Sequence, residues 1–204
     1  CISSMWHETG ACEDRTIAEF PLKQTKSPIL FKKLILNGPH IHTGNPLFKT
    51  PNNPCKSKGD WVPVDLNIIS DDFIPRCKYH QQCDDQTFAD RQTKCSWDNQ
   101  SFSNHWKLSY RSLVSIDGER SLQCAIYPPG VSHINNIDSI VIKDKSQLPT
   151  LTGLFSSLPE DAYLKLLAKP KLHVSIIESL PISDYGIRNS AVRIRALALN
   201  CLTK

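Results

Sequence analysis

Hydrophobic and polar positions alternate most clearly between Lys107 and Ile142. Over Ser109-Tyr110-Arg111-Ser112-Leu113-Val114-Ser115-Ile116 the apolar residues recur roughly every second position, and Ser121 to Tyr127 resumes the pattern after Asp117-Gly118. Asp-Gly between two such runs is a hairpin signal, because both residues tolerate the positive φ that a tight turn demands. Pro128-Pro129-Gly130 ends the second run, and Ile137 to Ile142 supplies a third. Three strands suffice for a sheet with one buried face. Earlier, Trp61 to Ile69 alternates in part and reads as a strand with Pro63 at its edge.

After Leu151 the period changes. Leu151 to Leu158 is apolar, and Ser157-Leu158-Pro159-Glu160 has the spacing of a capping box, which predicts a helix from about Pro159 to Ala168, ended by Pro170. Leu172 to Ile176 reads as a short strand. Ile187, Ala191, Ile194, Ala198 and Cys201 then recur at helical spacing and place Arg188 and Arg195 on the opposite face. The remainder is irregular. Pro21 and Pro28 argue for an extended connector over residues 1–36, Asn37-Gly38-Pro39 reads as a turn, and Gly38 to Lys58 is crowded with Pro39, Pro46, Pro51 and Pro54. Asp72 to Lys107 is polar and reads mostly as loop. The expected fold is α+β: a mostly antiparallel sheet with two or three helices and long loops.

Composition narrows the class. With 204 residues, 40% of them hydrophobic and 22% charged, the chain can bury a substantial core and is not of disordered type. No apolar run nears the roughly 18 residues of a membrane span, so no membrane partner is expected and a cytoplasmic setting is the default. Because the first residue is Cys1, the chain is expected to be a piece of a longer polypeptide. The net charge of +4 is too mild to establish nucleic-acid binding. Its distribution says more: Lys23, Lys26, Lys32 and Lys33 lie early, Lys165, Lys169 and Lys171 late, and acidic pairs at Asp71-Asp72 and Asp84-Asp85 lie between them. Such segregation permits one basic face suited to phosphates, although solvated surfaces give the same pattern.

Three segments, in order, carry a resemblance. They are Gly44-Asn45-Pro46-Leu47-Phe48-Lys49-Thr50-Pro51, Asp71-Asp72-Phe73-Ile74-Pro75-Arg76, and Glu119-Arg120-Ser121-Leu122-Gln123-Cys124-Ala125-Ile126-Tyr127-Pro128-Pro129-Gly130. Together with Ser4-Met5-Trp6-His7-Glu8-Thr9-Gly10-Ala11 at the start and Ile194 to Thr203 at the end, the chain resembles the target-recognition region of large adenine-specific DNA methyltransferases of the restriction-modification and phage-defence kind. The resemblance implies a connector over 1–36 leading out of a preceding catalytic domain and a DNA target-recognition domain over 37–204. It implies two partners, double-stranded DNA and the methyltransferase catalytic domain of the same polypeptide.

Methyl transfer itself is not expected of this chain. Such chemistry needs a glycine-rich strand-to-helix turn for the cofactor and an Asn/Asp-Pro-Pro-aromatic loop for the flipped adenine. Neither occurs: Asn45-Pro46-Leu47-Phe48 lacks the second proline, and Tyr127-Pro128-Pro129-Gly130 lacks the polar first residue and the closing aromatic. No cofactor is therefore expected here, and S-adenosylmethionine would belong to the parent enzyme. A Gly-x-Ser-x-Gly nucleophile elbow is also missing.

The expected DNA contacts are Lys49, Arg76, Arg111, Arg120, Arg188 and Arg195. Lys49, beside Phe48 in the proline-rich loop, suits phosphate contact with base stacking. Arg111 and Arg120 flank the expected hairpin turn, where a guanidinium can reach a base edge or phosphate; pairing with Asp117 or Glu119 is the alternative. Two further readings remain open: a protein-interaction module docking a methyltransferase to partner subunits, and a metal-dependent nuclease using His40, His42 and Asp71-Asp72. Eight cysteines without tight pairing are expected to be reduced. Cys77, His80, Cys83 and Cys95 form the one candidate zinc set, weak because it lacks a paired Cys-x(2–4)-Cys element.

Overall fold

The computed structural model describes residues 1–6, 16–19, 34–41, 48–65, 67–70, 73, 75–115, 117–182 and 194. The fold is α+β. One four-stranded sheet has the order β1-β10-β7-β8, from β1 (Ile2–Ser3), β10 (Ile137–Ile140), β7 (Lys107–Arg111) and β8 (Cys124–Tyr127), all antiparallel. A second has the order β2-β6-β3-β9, from β2 (Ile17–Glu19), β6 (Tyr79–Gln81), β3 (Leu34–Leu36) and β9 (Ser132–His133), with β3 and β9 parallel. A ribbon pairs β4 (Lys49–Pro51) with β5 (Trp61–Pro63). The helices with described bounds are α1 (Asp85–Arg91), α2 (Leu148–Phe155), α3 (Leu158–Leu167) and α4 (Val174–Glu178).

Strand alternation turns these elements into layers. Leu108 and Tyr110 on β7, Cys124 and Ile126 on β8 and Ile140 on β10 face Leu148, Phe155, Leu164, Leu172, Ile177 and Leu180 of the helical layer. Their odd-numbered neighbours Ala125, Tyr127 and Ile137 pack on the other side against Leu36, Ile41 and Cys77. The second sheet repeats the rule, since Ile35 and Tyr79 point away from the first sheet to Trp6, Ile17, Phe88 and Ile134. The order is therefore helices, sheet, sheet, then α1. A period of two lets each sheet bury both faces, and each fully buried large apolar side chain contributes about 1.5–3 kcal/mol.

The hairpin expected around Asp117-Gly118 pairs as foreseen and the chain turns there, the Gly118 N–H donating to the Ser115 carbonyl at 3.3 Å, but that turn does not join the two strands directly. Tyr110 lies opposite Cys124, so residues between them form a long excursion rather than a two-residue loop. The reason is competition from the helical layer: Leu113 bridges Lys171, the Val114 N–H donates to the Pro170 carbonyl at 3.0 Å, and the Leu172 N–H donates to Ser112 at 2.8 Å. That same anchorage replaces the expected strand over Leu172 to Ile176 with α4. The α3 helix forms as predicted, yet Ser157 makes no side-chain cap and Glu160 is buried with an unpartnered Oε2 among the described residues. Within the stretch read as loop, α1 starts at Asp84, whose carboxylate accepts the Thr87 N–H at 2.9 Å. The described parts of residues 1–36 are more than a connector, because β1, β2 and β3 each pair with a later strand. The closing amphipathic stretch from Ile187 lies outside the described residues, Ile194 excepted.

Among the described residues no helix is long and apolar enough to cross a membrane. Cys1, Cys55, Cys77, Cys83, Cys95 and Cys124 are free thiols.

Candidate nucleic-acid interface

A cavity of about 510 Å³ opens where the Asn37–Pro39 turn, the β4–β5 ribbon and the end of β7 meet. Among the described residues that line it, four are cations, Lys49, Lys56, Lys78 and Arg111, and none is acidic. Trp61 and Phe48 give it aromatic walls, while Asn37 and Asn136 add amide groups.

Local chemistry holds each wall. The Gly38 N–H donates to Asn136 Oδ1 at 2.9 Å, and Asn136 Nδ2 donates to Asn37 Oδ1 at 2.7 Å, so β10's approach fixes the turn. His40, fully buried, fastens the turn to the chain before β6. Its Nε2–H donates to the Arg76 carbonyl at 2.8 Å and its Nδ1 accepts the Asn37 N–H at 3.0 Å. Burial is the leading cause of its pKa falling from 6.5 to about 4, which fixes the ring as the neutral tautomer those partners require. The His40 ring meets Trp61 edge-on at 4.8 Å. At the ribbon, the Phe48 N–H donates to His40 and the Val64 N–H to Phe48, at 3.1 and 3.0 Å.

The cations stand on these supports. Lys49 Nζ lies 5.6 Å from the Phe48 ring centroid and Lys78 Nζ 5.4 Å from that of Tyr79. Lys56 is presented by a turn in which Asp60 Oδ2 accepts the Lys56 and Ser57 N–H groups at 2.8 and 2.6 Å, bonds that hold the Asp60 carboxyl below the usual carboxylate range. Arg111 donates from Nη1 to Gln123 Oε1 at 2.7 Å. Burial pushes its pKa down, but a guanidinium stays charged at neutral pH and retains further N–H donors.

The expected contacts thus divide. Lys49 and Arg111 come together in the cleft. Exposed Arg76 lies outside the lining, joined to it through the carbonyl that His40 holds. Arg120 sits with the helical layer instead of beside Arg111. Its neighbour Ser121 donates to Asp161 Oδ1 at 2.6 Å, and its own Nη1 is buried without a partner among the described residues. Arg188 and Arg195 lie outside the described residues, as do His42, Asp71 and Asp72. Lys56 and Lys78 were missed. Their signals were a Ser57-Lys58-Gly59-Asp60 turn just after Lys56 and an aromatic beside Lys78.

The candidate zinc set does not converge. Cys77 packs between the sheets, Cys83 at the rim of the Trp6 cluster and Cys95 beside Phe102 and Val141. Burial pushes the Cys77 thiol up to about 12, which suits an inert core residue.

No protein-family model matches the chain, and no curated protein matches it significantly.

Proposed function

We propose that the chain reads double-stranded DNA as the target-recognition domain of an adenine-N6 methyltransferase, acting in the cytoplasm as part of a restriction-modification or phage-defence system. The observation that carries this reading is a cleft whose described lining residues include four cations, drawn from four separate stretches of chain, and no carboxylate. Ordinary solvated surfaces mix signs, whereas phosphate oxygens need positive charge without a competing carboxylate. Lys49, Lys56 and Lys78 act as point charges on the DNA backbone. Arg111, oriented by Gln123, offers a planar fork to a phosphate or a guanine edge. The domain holds the duplex while a separate catalytic domain, which binds S-adenosylmethionine, performs methyl transfer.

Fluorescence anisotropy with a labelled duplex tests this. If all four cations neutralise phosphates, log K falls with log salt at a slope near −3.6, so affinity drops roughly 100-fold between about 50 and 200 mM salt. Lys49→Ala is expected to flatten the slope by about 0.9. Salt-independent binding, or an unchanged slope in a combined Lys49→Ala, Lys78→Ala variant, would remove the cleft from the DNA surface.

A further inference from the structure

We propose that Cys95, Asp98 and His105 form a zinc site, distinct from the basic cleft and closed by a water as fourth ligand. Their ligand atoms all lie within 4.8 Å of one another. The backbone is built to gather them. Lys94 bridges Ser101, the Cys95 N–H donates to the Gln100 carbonyl at 2.8 Å, and the Asn99 N–H donates to the Cys95 carbonyl at 2.9 Å. Asn99 takes the left-handed region at φ 56°, a conformation asparagine tolerates, and turns the chain back so that Asp98 faces Cys95. The 3-10 turn Phe102–Asn104 then delivers His105, whose N–H donates to Phe102 at 3.2 Å.

Three details favour a metal over a simple ion pair. His105 Nε2 is buried and has no hydrogen bond among the described residues, although Asp98 Oδ2 lies only 3.3 Å away. That separation equals the edge of a tetrahedron with zinc–ligand bonds of about 2.0–2.1 Å, which is about 3.3 Å. The second Asp98 oxygen accepts the Gln100 N–H at 3.0 Å, the outer-shell support that orients metal-binding carboxylates. Finally, buried Cys95 packs with Phe102 and Val141, and Trp97 and Met5 cover the rim, so water has limited access to the sulfur.

Ligand chemistry selects the ion. A thiolate with an imidazole is soft for calcium or magnesium and suits zinc, and thiolate plus carboxylate supply two negative charges to a divalent cation. Nearby Lys107 is tied to the carbonyls of Phe102 and His105, at 3.5 and 3.3 Å. The bound ion would clamp the 95–105 loop against the start of β7.

Cobalt(II) reports on such a site, because thiolate coordination gives a near-ultraviolet charge-transfer band and tetrahedral geometry gives intense visible bands. Titrating the full chain after chelator treatment is expected to yield one cobalt per chain, displaced by zinc. Cys95→Ser should abolish the charge-transfer band. Asp98→Asn, at an exposed position that leaves the fold intact by circular dichroism, should weaken cobalt binding by at least the roughly 10-fold that an outer-shell partner is worth. Cys83→Ser should leave the spectrum unchanged. Absence of the band in the unmodified chain, its survival in Cys95→Ser, or unaltered affinity in folded Asp98→Asn would each overturn the assignment.

Discussion

His133 is fully buried at the seam of the two sheets, and both of its ring nitrogens are hydrogen-bonded. Nδ1–H donates to the Ile134 carbonyl at 3.2 Å, while Nε2 accepts the Ser139 hydroxyl at 2.5 Å. Ser139 in turn receives the Ser109 hydroxyl at 2.7 Å across the β7–β10 ladder. Burial, and secondarily the Lys107 charge, lower the His133 pKa from 6.5 to about 3. The sign follows directly. As pH falls below 6.5 the unfolded chain binds a proton that the native ring refuses, so stability declines until about pH 3 at about 1.4 kcal/mol per pH unit. Between about pH 8 and about pH 5 the loss sums to about 2 kcal/mol. This figure is insensitive to the native value provided it stays below 5.

The perturbation is His133→Gln, which keeps an acceptor for Ser139 and abolishes the titration. Urea unfolding at several pH values gives both curves, and their difference isolates one proton. Groups untouched by the change, His40 and Asp138 among them, cancel. The variant is expected to lose stability at neutral pH through imperfect packing, yet its deficit should shrink by about 2 kcal/mol on acidification to about pH 5. Parallel curves would refute the reasoning, because they would mean that the native ring takes up its proton as readily as the unfolded chain does.

Two more changes probe buried polar groups. The Tyr127 side chain is fully buried and its hydroxyl has no partner among the described residues, so Tyr127→Phe is expected to be neutral or stabilising by about 1 kcal/mol in chemical denaturation; a loss of that size would reveal a hydrogen bond. Burial raises the Asp138 carboxyl from 3.8 to about 6, outweighing Lys171 and His173, so stability present below pH 3.8 is lost as pH rises through 6. After discounting for its partial exposure, Asp138→Asn should gain about 1 kcal/mol at neutral pH and nothing near pH 3.8, and calorimetry showing a loss at neutral pH would contradict this.

Legibility in the sequence followed sequence distance. The period of two exposed β7, β8 and β10, because Tyr110, Cys124 and Ile140 obey a rule that acts between neighbouring residues. The Asp117-Gly118 turn forms inside a long excursion instead of joining the strands directly, since the competing partners, Pro170 and Lys171, lie some fifty positions away. Asp84-Asp85 read as a charge pair, although an aspartate with a threonine three residues later is also a helix cap. Lys49 and Arg111 were legible as cations on exposed supports, whereas their convergence with Lys56 and Lys78 exists only in three dimensions. Cys95 was singled out with Cys77, His80 and Cys83, because Cys-based spacing rules ignore the aspartate and histidine, Asp98 and His105, that the fold gathers beside it.

The interleaving of the two sheets bears on how the chain can fold. One draws on β1, β7, β8 and β10 and the other on β2, β3, β6 and β9, so each is completed by strands on both sides of the other in sequence. Ile2 must find Ile140, and Leu36 must find His133. Closing loops of this length costs entropy before any contact repays it, so local pairings such as β7 with β8 form cheaply and the remote ones close last. Neither sheet is then an independent unit, and the basic cleft, whose walls come from both, stands or falls with the whole chain.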